Sequence, residues 1–260
     1  MLRIILDYYR DPIVNMAVDE AIHRYRTMVD FDTLRIYMWR PSGVSIGRSQ
    51  DIHDTLYLEC IWRYGYLPVV RPTGGGALLH MEDGEVTYSV VLGSGHPIFD
   101  LDVQTSSMEI VKGVYNALSI LGVEADISGE FRSRGEPLCY FRRGSSDILI
   151  KGMKISGSAQ MRDGNALLQH GTLLTKFIPE IWSCVIKDVD VNSIRDRVVS
   201  LSDLGIKTSV KEIYNALVEG FLEVFGGDFF YGSLLPEEVE IVDELIKKKY
   251  LPWLERVKGQ

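Results

Sequence analysis

The 260-residue chain has little cysteine, no excess of positive charge and no long apolar run, and each absence excludes something. Its three cysteines, Cys60, Cys139 and Cys184, are an odd, sparse and widely spaced set. They predict no disulfide framework, and without a CxxC pair they predict no structural zinc site. A net charge of −8 argues against a general nucleic-acid binder, which carries a basic excess. An acidic partner would need a local basic patch, for which Arg132, Arg134, Arg142 and Arg143 are candidates. No stretch approaches membrane-spanning length, and the opening MLRIILDYYRDP lacks the apolar core of a signal peptide. The expectation is a cytoplasmic protein with no membrane or nucleic-acid partner.

What is present is ordinary globular composition, 46% hydrophobic and 25% charged, enough to bury a core without disulfides or metals. Apolar spacing predicts helices at 15–26, 54–64 and 106–121, the last from Met108, Val111, Tyr115 and Leu118. Strands are expected at 34–39, 43–46, 67–70 and 86–92, then near 147–150, 154–160 and 167–174. The polar, basic, Gly-rich stretch 128–146 reads as a long loop, and loops of that length are often functional or disordered. Ser209 and Glu212 form a capping-box pattern, Gly226 and Gly227 stop that helix, and Pro236 opens another through about Lys249. The fold class is α+β, with mixed or antiparallel sheets flanked by helices. One domain spans 1–260, with a helical C-terminal part from about 207.

Three segments carry candidate chemistry. In RPTGGGALLH, residues 71–80, Gly74, Gly75 and Gly76 allow φ > 0 and close approach of a ligand, and their amides can form an anion nest. Arg71 adds charge there, Thr73 and Ala77 flank the glycines, and His80 closes the segment. The same residues also fit a tight turn between strands. In DILIKGMKISGSAQ, residues 147–160, Lys154 stands beside Ser156, Gly157, Ser158 and Ala159, which leave room for a ligand. A solvated strand lysine is the bland alternative. His170, in LLQHGTLL, suits either a core histidine or a site residue.

In this order the segments resemble the lipoate–protein ligases and the lipoyl-pathway octanoyltransferases, relatives of biotin ligases. NMAVDEAI at 15–22, Trp39-Arg40-Pro41 and Ser45-Ile-Gly-Arg-Ser-Gln50 resemble the opening segments. Arg71 to His80 resembles the glycine-rich signature, and KISGSAQ at 154–160 the segment with the essential lysine. Gln169-His-Gly-Thr172 resembles the strand behind it, and Tyr250 with Trp253 the C-terminal tail. The wording of these motifs fits lipoate better than biotin. The resemblance implies a biotin/lipoate ligase-like catalytic domain that acylates a lysine on the lipoyl domains of 2-oxoacid dehydrogenase E2 subunits or on the glycine cleavage H protein. It also implies that the glycine amides, Arg71 and Lys154 stabilise the acyl centre electrostatically. Leu78, Val90 and Leu173 would line an apolar tunnel.

Two mechanisms share this scaffold. A ligase would use ATP and Mg with free lipoate, through an acyl-adenylate, with Asp147 near the nucleotide and metal. A transferase would take octanoate from an acyl carrier protein through a thioester on Cys139, fifteen positions before Lys154 and beside Arg142 and Arg143. Gly76, where the cysteine branch tends to carry arginine, and Asp147 favour the ligase. Ser146 in place of asparagine weakens that match, and Leu79-His80 with Thr87-Tyr88-Ser89 favours the transferase. The intact GGGA loop, with room for a nucleotide, tips the sequence reading to the ligase. Many ligases of the family append a small C-terminal domain that assists adenylation; this chain has little room for it, so for a ligase the resemblance implies a separate small accessory subunit. Neither mechanism needs a permanently bound cofactor. A non-catalytic binder of lipoyl groups or adenylates is a third reading.

Overall fold

In the computed structural model, residues 1–129 and 144–259 are described. The elements run β1 (Leu2–Arg10), α1 (Pro12–Tyr25), β2 (Asp32–Trp39), β3 (Gly43–Ile46), α2 (Ile52–Thr55), α3 (Leu58–Arg63), β4 (Leu67–Val70), β5 (Leu78–His80), β6 (Glu85–Gly93) and α4 (Val103–Ile120). They continue β7 (Asp126–Ile127), β8 (Ile148–Ile150), β9 (Met153–Arg162), β10 (Ala166–Leu174), α5 (Pro179–Val185), α6 (Val191–Arg195), α7 (Val210–Phe225), β11 (Phe229–Tyr231), α8 (Pro236–Leu245) and α9 (Leu251–Lys258). An eight-stranded mixed sheet has the order β11-β1-β2-β6-β10-β9-β8-β7, and a three-stranded sheet the order β4-β3-β5.

Cross-strand register fixes what faces the smaller sheet. Arg35, Ser89, His170 and Ala159 form one row across β2, β6, β10 and β9, and Tyr37, Thr87, Thr172 and Gly157 form the next. Because strand side chains alternate, both rows share one face. The intervening apolar positions face the helices. Tyr88 packs on Phe221 of α7 with ring centroids 5.0 Å apart. Helix α7 starts at the predicted capping box, with Ser209 and Glu212 satisfying each other's backbone amides. Helix α1 starts at Asp11, whose carboxylate accepts from the Ile13 amide, with Pro12 in its first turn. Asn15, Asp19 and Glu20 are buried along with its apolar residues.

Several expectations need correction. The helix expected at 54–64 is two short pieces, because Leu56 turns extended to bridge Ile186 and the Tyr57 amide donates to the Val185 carbonyl. The stripe expected on α4 is only partly right: Val111 and Leu118 are buried as expected, Tyr115 is exposed, and Ile110, Val114 and Ala117 complete the buried face. The C-terminal region is not all helix, since β11 pairs parallel with β1 at the sheet edge. The helix opened by Pro236 runs past Lys249, through a wider turn at Ile246–Tyr250 into α9. Cys60 and Cys184 form a disulfide with their Cα atoms 6.1 Å apart. Their separation of 124 positions hid a pairing made by the packing of α3 on α5. Among the described residues no helix is long and apolar enough to cross a membrane. The basic loop residues Arg132, Arg134, Arg142 and Arg143, and Cys139, lie outside the described residues.

Candidate active site

Between the two sheets lies a narrow, mostly apolar slot. The large sheet lines it with Tyr37, Thr87, His170, Thr172 and the Gly157–Ala159 stretch, and the opposite wall includes Ser45, Arg71, Leu78 and His80. Met16 and Trp39 add apolar surface. Of the three residues expected to line a tunnel, Leu78 does. Val90 and Leu173 do not, because each neighbours a slot-facing residue on its strand and therefore points to the other face.

Lys154 reaches this face because of a bulge. Ile148 pairs with Ser156 but Leu149 pairs with Lys154, so Ile155 is the extra residue. An extra residue inverts the alternation. Lys154 thus shares the face of Gly157, and Ser156 turns away from the slot. Lys154 Nζ contacts Asp147 Oδ1 at 2.8 Å, with both side chains buried. Asp147 Oδ2 accepts from the Gly144 amide at 2.7 Å. The lysine lies directly over Gly157, where a Cβ would come within 2.6 Å of its Cε and 2.8 Å of its Nζ.

The glycine turn is clamped from beneath. Arg71 donates through Nη2 to the Gly74 and Gly76 carbonyls at 2.8 and 2.6 Å, and through Nε to Gly74 at 3.1 Å. Its Nη1 donates to Ser45 Oγ at 3.1 Å. Gly75 has φ +96°, and a Cβ there would lie 2.8 Å from Arg71 Nη2. That conformation and that contact both demand glycine. Ala77 is buried beside the turn.

Two buried acid–histidine–hydroxyl chains border the slot. His170 Nδ1 donates to Asp19 Oδ2 at 3.2 Å, and its Nε2 accepts from Thr73 Oγ1 at 2.7 Å. Asp19 also takes Arg35 Nη1 at 2.8 Å, Ser89 Oγ at 2.8 Å and Tyr37 OH at 2.7 Å. Burial pushes the His170 pKa down against the pull of Asp19, which keeps the imidazole neutral. Burial would raise Asp19, but the hydrogen bond from His170 and the Arg35 guanidinium hold it below the usual carboxylate value. In the second chain, His80 Nδ1 lies 2.6 Å from Glu85 Oε1 and Nε2 lies 2.8 Å from Ser45 Oγ.

The sequence reading missed Asp19, Arg35, Tyr37, Ser45, Glu85 and Ser89. Its available signal was polar residues two apart in otherwise apolar strands: Arg35 and Tyr37, Thr87 and Ser89, His170 and Thr172. On a strand that spacing marks a face turned toward something polar. Asn15 and Asp19, four apart on α1, both reach Arg35.

The donor set does not favour magnesium at Asp147. Its two oxygens are occupied by Lys154 and the Gly144 amide, and among the described residues no three His, Cys, Asp or Glu side chains gather as a metal site.

A buried lysine over a glycine, a clamped glycine turn and an apolar slot form a site able to hold an acyl chain by its carbonyl end. The chain belongs to the lipoyl protein ligase A/B catalytic-domain family, whose model matches residues 11–222. Octanoyltransferase LipM of Kyrpidia tusciae is 36% identical over 251 residues, covering 90% of each chain. A crystal structure of lipoate-protein ligase A bound with ATP superposes with a TM-score of 0.83 at 31% identity, covering 95% of this chain and 94% of that one. The bi-partite lipoate protein ligase of Thermoplasma acidophilum, studied with its E2 lipoyl domain, gives 0.79 at 28% identity, covering 95% and 92%. The protein is therefore an enzyme of lipoyl or octanoyl attachment. That sets aside the reading as a non-catalytic binder. Likeness to a relative named a transferase also favours the second mechanism over the ligase that the sequence reading preferred.

Proposed function

We propose that this protein moves an octanoyl group from the thioester of an acyl carrier protein to the lysine amine of a lipoyl domain. The observation that carries the reading is similarity to an octanoyltransferase over nine-tenths of both chains. The site chemistry supports it. The slot suits a saturated chain, and Lys154 with the glycine turn suits a developing oxyanion.

In the first step the Cys139 thiolate attacks the donor carbonyl. A new C–S bond forms, the old one breaks, and the carrier leaves as a thiolate that takes up the proton Cys139 released on ionising. In the second step the lipoyl-domain amine attacks the Cys139 thioester, forming the amide and returning the thiol. Lys154 would stabilise the negative oxygen in both steps, and Asp147 would hold the ammonium in place between them.

One observation favours the ligase as a second reading, the close superposition on a ligase that binds ATP. A single paired assay separates the two. Apo lipoyl domain is incubated with octanoyl carrier protein without ATP, and in parallel with ATP, Mg and lipoate. Octanoylation in the first tube alone is expected. Product in the second tube alone would replace the transferase reading with the ligase.

A further inference from the structure

We infer that Glu85, His80 and Ser45 form a one-way hydrogen-bond chain that positions Arg71, and through it the glycine turn, for acyl transfer. The directions follow from donor inventory. Glu85 Oε1 accepts from His80 Nδ1–H at 2.6 Å, and the tautomer with its proton on Nδ1 presents Nε2 as an acceptor. Ser45 Oγ–H then donates to Nε2 of that tautomer at 2.8 Å, and the Ser45 oxygen accepts from Arg71 Nη1 at 3.1 Å. Arg71 in turn holds the Gly74 and Gly76 carbonyls. In this arrangement every donor points toward Glu85.

The chain is braced as well as directed. Trp39 stacks on His80 with ring centroids 3.8 Å apart and donates through Nε1 to Thr87 Oγ1 at 2.8 Å. Thr87 donates to the same Glu85 oxygen at 2.8 Å. Two donors thus converge on Oε1, while Oε2 is buried without a partner. Leaving a buried carboxylate oxygen unsatisfied is costly, and a core that needed only packing would use an apolar side chain there. The arrangement serves geometry at the slot, which Ser45, His80 and Arg71 all line. His80 is therefore a positioning residue.

The inference rests on the proposed transferase reading only for the choice of reaction. The experiment has two readouts, hydrogen exchange of the Gly74–Ala77 amides and steady-state octanoyl transfer. His80→Phe keeps the stacking on Trp39 and removes both nitrogens. Loop exchange should rise roughly tenfold, the equivalent of one lost buried hydrogen bond. The kcat should fall about 100-fold, as for a misplacement of about 1 Å, with KM for the donor little changed. His80→Gln, which returns an acceptor to Ser45, should recover part of both losses. If His80→Phe fails to fold, Ser45→Ala, which deletes one oxygen, decides by the same two readouts. Unchanged loop exchange or an unchanged kcat in Ser45→Ala or a folded His80→Phe overturns the inference. If the wild type transfers no octanoate, the transferase reading fails, and the exchange readout still tests the chain.

Discussion

Lys154 Nζ sits 2.8 Å from Asp147 Oδ1 in a pair almost fully removed from water. Lys154→Ala should lower acyl transfer by about 100-fold or more, because it removes the charge beside the developing oxyanion. It should also destabilise the fold, since breaking a buried pair by removing one partner typically costs about 3–5 kcal/mol. The double variant Lys154→Met with Asp147→Asn separates the two effects. Its Tm should return toward wild type while its activity stays lost. Near-wild-type turnover by folded Lys154→Ala would remove the lysine from the chemistry.

Gly75 and Gly157 predict two different failures. Gly75→Val combines a β-branched side chain with φ +96° and a clash with Arg71, so the turn must rearrange. Calorimetric titration with an octanoyl or lipoyl-adenylate analogue should show affinity lost, and unchanged affinity would make the loop a mere turn. Gly157→Ala clashes with the Cε and Nζ end of Lys154 and meets Asp147 Oδ1 at an ordinary 3.5 Å, with no backbone in the way. It should fold normally, bind the acyl chain and turn over more slowly, because the ammonium is displaced.

The Asp19–His170 pair sets an acid limit on stability. The His170 pKa is lowered by burial from its ordinary 6.5, so in the window just below that value the unfolded chain binds more protons than the folded one. This stability is present above pH 6.5 and is lost as pH falls through the folded value. Asp19, also lowered, adds a loss of the same sign below its ordinary 3.8. Thermal melts between about pH 7 and pH 5 should therefore show Tm falling on acidification, with a shallower fall in His170→Gln. Equal slopes in the two proteins would exclude His170 as the source.

Much of this fold was legible because its signals are local. The strand at 67–70 and the Ser209–Glu212 cap depend on a few adjacent residues, and both stand where the pattern put them. Three features depended on distant partners and were not legible. Leu56 breaks its helix to meet Ile186, Cys60 finds Cys184, and β11 forms only because β1 offers an edge. The site divides the same way. Lys154 and the glycines stand out in the sequence. The bulge at Ile155 that brings Lys154 over Gly157 is a property of pairing with β8, and no single-strand pattern contains it. The role of Glu85 depends on His80, a residue of the other sheet.

Cys139 decides the mechanism. As a transferase nucleophile it must carry the octanoyl group between the two carriers, so wild type incubated with octanoyl carrier protein should gain the mass of one octanoyl group. Cys139→Ser should gain none and lose nearly all transfer, since a serine hydroxyl has no accessible anionic form at neutral pH to match a thiolate. Intact-protein mass spectrometry reads the adduct. Addition of apo lipoyl domain without ATP should then chase it onto the domain's lysine. Lys154→Ala gives an internal check. If the lysine stabilises the oxyanion in both steps, its loss should slow adduct formation and chase alike. If it serves only the second step, the adduct should accumulate. A Cys139→Ser protein that still lipoylates with ATP and lipoate, alone or after addition of a small accessory protein, would establish the adenylating route. It would leave Cys139 as a bystander fifteen positions from the lysine that matters.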